Sequence, residues 1–245
     1  MRRPVALALF LALSGALSAQ EELQTSFAAG VASQSVFRGV KHAGSVAEAD
    51  AGLAGGGWNG SLRYREPRAA GESGEGNLEG GYAWSASDQV KLAADLRQNW
   101  VSDPRPGATR QSTETGLTIS WTPQQNLTFA TAWFHDFRLR ADTWELSAAY
   151  SQALPSLGAY LEWKAYAGAA RAQNLSPDAG APDVRDSYAY YGADLQLPYH
   201  LPVGHATLTA GLHVAGTSGQ NRAWSPIDAA GGFRAWADLS VGFDF

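Results

Sequence analysis

Cysteine is absent from the 245 residues and methionine occurs once. No disulfide, thiolate nucleophile or cysteine-ligated metal is therefore available to this chain. No apolar run reaches the length of a membrane-crossing helix. Helical patterns are scarce after residue 20. Basic charge is also short: 18 Lys and Arg stand against 23 Asp and Glu, for a formal net charge of −5. An acidic chain lacks the electrostatic footprint of a nucleic-acid binder. No glycine-rich loop joins a strand to a helix, so nucleotide binding has no support. Nothing in the spacing of residues implies a cofactor or a metal site.

What the chain does have is glycine (27), tryptophan (9) and tyrosine (9). It begins with Arg2 and Arg3, an apolar run Val5–Leu17, and the small residues Leu17-Ser-Ala19 before Gln20. That is the form of a secretory signal, with cleavage expected after Ala19. Residues 1–19 are read as the signal peptide and 20–245 as one domain.

The end of the chain sets the pattern for that domain. In Phe233–Phe245 every odd position is apolar, from Phe233 through Leu239 to Phe245. Every even position except Trp236 is charged, small or polar. A period of two places one face of a strand against something oily and the other against water or polar groups. The same alternation recurs in Leu23–Ala32, Val46–Gly55, Trp58–Arg65, Asn77–Ser85, Val90–Val101 and Gln111–Thr122. It continues in Leu127–Arg138, Thr143–Ala153, Ala159–Ala170, Asp186–Leu197 and His205–Ala215. Together with the terminal strand these make about 12 strands, mostly 8–13 residues long, close to the roughly 9–11 residues of a tilted membrane strand. Long polar connections at 33–45, 66–76, 102–110, 171–185 and 217–232 alternate with shorter ones at 56–57, 86–89, 123–126, 154–158 and 198–204. Only the connection at 139–142 is short where a long one is expected.

The fold class expected is all-β, a transmembrane antiparallel up-and-down β-barrel. In hydrocarbon an unpaired backbone amide costs several kcal/mol, so the sheet must close on itself. Outward aromatics fall in two groups. Trp58, Tyr82, Trp84, Trp121, Phe129 and Tyr150 lie toward the short turns. Trp100, Trp133, Phe137, Trp144, Tyr191 and Phe233 lie toward the long loops. Two such girdles are expected at the headgroup levels of a bilayer. Outer-membrane lipid is thus an expected partner, with both termini on the periplasmic side.

Val31-Ala-Ser-Gln-Ser-Val-Phe-Arg-Gly-Val40 resembles the amino-terminal signature of the TorF-type porin family of Gram-negative outer membranes. Ser33, Phe37, Arg38 and Gly39 match the family's pattern, whereas Gln34 and Ser35 stand where it has Asp and Tyr. Gly55-Gly-Gly-Trp58 is loosely similar to the family's glycine-tryptophan hairpin. The resemblance covers about thirty residues and the terminal aromatic, and implies an outer-membrane barrel acting as a channel. Ending on Phe245, the last strand also resembles the address by which barrels are recognised by their insertion machinery.

The inward face expected from the alternation carries Glu48, Asp50, Glu79, Asp95, Glu114, Asp136, Glu145, Glu162, Asp194, Asp238 and Asp244. Opposed to them are Arg38, Arg63, Arg65, Lys91, Arg97, Arg138, Lys164 and Arg234. Such charges are costly unless paired or wet. They line either a water-filled passage for small polar solutes or a salt-bridged plug. About eight strands are filled by side chains and 16–18 leave an open channel, so twelve decides neither. Loop 33–45 is expected either to fold inward as a constriction or to lie on the surface with Arg38 paired to Glu48 or Asp50. A hydrolase would need a nucleophile, a base and an orienting group on adjacent strands. His135 is the one outward histidine within a strand. Its expected outward neighbours are Thr113, Thr115, Trp144 and Leu146, with no serine–carboxylate pair, so no catalytic residue is assigned.

Overall fold

The computed structural model describes residues 23–102, 110–175, 184–202, 204–218 and 232–245. The expected signal peptide and parts of three expected long loops lie outside these residues. Twelve strands close into one antiparallel barrel. In chain order they are β1 (Gln24–Ala32), β4 (Val46–Gly55), β5 (Trp58–Pro67), β6 (Glu75–Ser85), β7 (Val90–Val101) and β8 (Gln111–Gln124). Then follow β9 (Leu127–Asp136), β10 (Ala141–Leu154), β11 (Ala159–Ala172), β12 (Asp186–His200), β13 (Ala206–Ser218) and β14 (Gly232–Asp244). Two short strands, β2 (Ser35–Phe37) and β3 (Val40–Ala43), form a separate hairpin between β1 and β4.

Closure joins the chain ends. β1 pairs with β14 from Ser26↔Asp244 to Ala32↔Asp238. Thr25 and Phe245 exchange backbone hydrogen bonds of 3.1 and 2.8 Å. The terminal aromatic therefore sits in the seam and removes the edge that an open sheet would present. The alternation decides which face is which. Leu146, Leu212 and Phe233 are 65%, 61% and 66% exposed on the outside, while inward Glu114 is only 5% exposed. Outward rings pair across strands, Trp58 with Tyr82 at 4.8 Å between centroids and Trp133 with Trp144 at 6.2 Å.

Turn chemistry explains the short ends. Gly56 and Gly57 both take positive φ, 60° and 82°, as the tight β4–β5 hairpin requires. Between β10 and β11 a single helical turn, Pro155–Leu157, ends on Gly158 in the left-handed region. The β9–β10 connection differs from expectation in position. β9 stops at Asp136, whose carboxylate accepts the backbone N–H of Arg138 and Leu139, and the chain turns over residues 137–140. Its strand partner consequently begins at Ala141, two residues earlier than the alternation suggested. Arg138 is therefore an exposed turn residue and not part of a strand face.

Candidate functional site

The barrel interior is the candidate site, and the hairpin β2–β3 is its dominant feature. The 33–45 segment leaves β1 at the long-loop end and folds into the barrel. Val40, 1% exposed, packs against Ala170 of β11 and Tyr188 and Tyr190 of β12, all on the inner face. The turn of the hairpin is Arg38-Gly39, with φ of 49° and 76°. Gly39 is required twice over. Its backbone is left-handed, and a Cβ there would lie 3.0 Å from the Gly216 carbonyl and from Tyr190.

The turn delivers Arg38 to the far wall. Its guanidinium makes a two-pronged contact with Glu114 of β8, at 2.7 and 3.1 Å, and donates to the Thr143 hydroxyl of β10 at 3.4 Å. It lies 4.5 Å from the ring centre of Phe134 and 4.7 Å from that of Phe37. Of the two expectations for this segment the inward one holds, and Arg38 pairs with neither Glu48 nor Asp50. The hairpin is tied at three further points. His42 Nδ1 meets Glu75 at 2.8 Å, the Gly44 N–H donates to Glu72 at 3.0 Å, and Gln34 reaches the Ala235 carbonyl at 3.3 Å. Burial alone would lower the His42 pKa, and Arg65 lowers it too, but the Glu75 carboxylate outweighs both and the net shift is upward.

Below the hairpin the inner face divides in two. On β4–β8 carboxylates and guanidiniums alternate across neighbouring strands. Glu48 pairs with Arg65 at 3.3 Å and Asp50 with Arg63. Glu79 pairs with Arg97 at 2.6 Å, and Arg97 continues to Glu114 at 3.5 Å. Glu114 thus joins the ladder to the hairpin. The Asp95 carboxylate lies over Gly116 and one of its oxygens has no hydrogen-bond partner. Lys91 is exposed near the short-turn end.

The β10–β14 side is built differently. Glu145 accepts the Tyr190 hydroxyl at 2.9 Å and lies 3.8 Å from Lys164. His213 bridges two carboxylates, with Nδ1 2.8 Å from Asp194 and Nε2 on Asp238, and stacks on Trp236 at 5.0 Å. Tyr166 and Tyr190 lie flat over Gly192 and Gly168, directly opposite in the β11–β12 register, where any side chain would collide with the ring. Two small residues thereby keep two large rings against the wall and out of the lumen. Glu162 is exposed, opposite Gln196, and Arg234 is half-buried opposite Ala215.

The structure thus joins Arg38, Glu114, Arg97 and Glu79 into one chain of charges, and pairs most of the other luminal residues expected from sequence. It diverts Asp136 to the turn and moves Arg138 out of the strand. His213, Tyr190, Trp236, Phe134, Thr143 and the His42–Glu75 tie were not singled out from sequence. All but His42 and Glu75 lie on faces the alternation marks; those two fall in the expected connections 33–45 and 66–76. One negative reading also changes. Because β10 starts at Ala141, Asp142 points outward beside His135, at 2.9 Å. A carboxylate does accompany the outward histidine, but Thr115, opposite it on β8, donates its hydroxyl to the Asp95 carbonyl. Among the described residues no group of histidines and carboxylates is arranged to hold a metal ion.

Comparison with known proteins gives no match to any family model and none to any curated protein. Solved structures do match. The NanC porin is 14% identical with a TM-score of 0.54, over 89% of this chain and 98% of that one. The KdgM porin in complex with disordered oligogalacturonate is 9% identical with a TM-score of 0.56, over 91% and 99%. LpxR from Salmonella typhimurium is 9% identical with a TM-score of 0.53, over 89% and 99%. What the chain shares with them, over nearly their whole length, is the fold of an outer-membrane-type β-barrel.

Proposed function

We propose that this chain is an outer-membrane, porin-like channel for passive diffusion of small polar solutes. The observation that carries the reading is a closed wall, apolar outside, around an interior lined by charged and hydroxyl groups. An apolar exterior with paired aromatic rows suits lipid. A hydrophilic interior is stable only when wet or fully paired. Exposed Lys91 and Glu162 favour water. Tyrosines lying on glycine hold space open, and the hairpin narrows it at one end, as a selective passage needs. Membership of the TorF-type family, cleavage after Ala19, periplasmic termini and recognition of Phe245 by the insertion machinery belong to the same proposal. Likeness to the NanC and KdgM porins supports it.

A second reading has one observation in its favour. The hairpin is fastened to β6, β8, β10 and β14, which would suit a closed barrel whose outer loops bind a ligand. Planar-bilayer recording separates the two. The channel reading expects discrete conductance steps from purified protein, larger when Arg38→Ala frees the hairpin. Silence from both proteins favours the closed barrel.

A further inference from the structure

The two sides of the lumen carry different net charge. On β4–β8 the guanidiniums of Arg63, Arg65 and Arg97 are each already held by a carboxylate. On β10–β14 the register turns Glu145, Glu162, Asp186, Asp194, Asp238 and Asp244 inward, against Lys164 and Arg234 among the described residues. His213 bridges two of these carboxylates at once and so offsets at most one of them. The carboxylates are spread from one end of the barrel to the other, so they make a field along the passage and not a single site.

A second observation concerns which groups the interior accepts. Two of the cations already inside it sit against rings and carboxylates together. Arg38 lies against Phe134, Phe37 and Glu114. Lys164 lies 5.5 Å from the Tyr166 ring centre and 3.8 Å from Glu145. Both arrangements are cation–π contacts backed by negative charge. Trp236, stacked on His213, presents a further ring on the same side.

We propose that the passage selects cations, and that its solutes are small molecules bearing an ammonium or guanidinium group, not acidic saccharides. This rests on the channel reading above. A narrow polar passage with low-dielectric walls focuses the field of its lining, and rows of Asp and Glu favour cations. The side chains of Arg38 and Lys164 mark where such groups settle. Screening predicts a signature of its own. The Debye length is about 10 Å at 0.1 M salt and about 3 Å at 1 M, so selectivity must fade as salt rises.

The test is the reversal potential of the purified full chain in a planar bilayer under a KCl gradient. At dilute salt potassium is expected to permeate roughly threefold or more over chloride, approaching parity near 1 M. Glu162→Lys, an exposed position with no ion pair among the described residues, is expected to lower the ratio, and Lys91→Gln to raise it. In liposome swelling, arginine is expected to enter faster than glucuronate. Conductance steps with chloride preferred, or with no preference at dilute salt, overturn the inference and leave the channel reading standing. Silence in wild type and variants, with no swelling in a neutral sugar, overturns both.

Discussion

The β4–β8 wall and the β10–β14 wall solve one problem in two ways. Both must keep charges inside a closed barrel without leaving them unpartnered. The first alternates guanidinium and carboxylate between adjacent strands, so each pair is made by register alone: Arg65 opposite Glu48, Arg63 opposite Asp50, Arg97 opposite Glu79. The second has few cations and satisfies its acids with a bridging histidine and a tyrosine hydroxyl. Local pairing neutralises the first wall and leaves it half-exposed; shared partners rigidify the second and leave it net acidic. Across the interior the hairpin connects them, by holding Glu114 of one side with an arginine whose turn rests on Tyr190 and Gly216 of the other.

Removing that connection is the strongest way to break the contrast. Arg38→Ala leaves Glu114, 6% exposed at its side chain, with only the more distant Arg97. Loss of one partner of a buried pair is expected to cost roughly 3 kcal/mol in thermal unfolding of the detergent-solubilised barrel. The double variant Arg38→Met/Glu114→Leu should recover most of that loss, because the uncompensated charge is gone. Next comes the acidic wall. His213→Ala takes one shared partner from both Asp194 and Asp238 and is expected to cost about 2 kcal/mol by the same assay. An equal effect from Arg65→Ala would erase the distinction between the walls. That change breaks a half-exposed pair, for which about 0.5 kcal/mol is expected.

The smallest effect is a pH dependence at the base of the hairpin. The fold raises the His42 pKa above its ordinary 6.5 through Glu75, so the protonated ring is favoured in the folded state. Its contribution is complete below the ordinary value and is lost as pH rises through the raised one. Thermal stability followed from about pH 5 to about pH 9 should therefore show a decline that is smaller in His42→Gln. A decline on acidification that disappears in the same variant would reverse the assignment.

Much of this was legible in the sequence, and for a definite reason. A two-residue period leaves only two faces to choose from, so once Leu146 is outside, Glu145 must be inside. Parity alone therefore puts Glu48, Arg63, Glu79 and Arg97 on one face, the face on which the structure pairs them. For the connection 33–45, outside the alternation, the sequence leaves the inward fold as one of two options. What parity does not encode is length and partner choice. The carboxylate of Asp136 ended β9 by taking two backbone amides, which displaced Arg138 and exposed Asp142 beside His135. Arg38 crosses to Glu114, 76 residues away, because the hairpin turn aims it there. The His213 bridge depends on Asp194 and Asp238 meeting in three-strand register, a relation that spans β12, β13 and β14 and leaves no local trace.

The whole account requires water on one side of each strand and lipid on the other. Because the chain has no native cysteine, single cysteines placed one at a time from Trp144 to Ala149 of β10 give an uncluttered readout. In liposomes, a bulky-headed, water-soluble thiol reagent should label positions 145, 147 and 149 and spare 144, 146 and 148. Uniform labelling, or labelling confined to the even positions, would contradict a hydrophilic passage enclosed by an apolar wall.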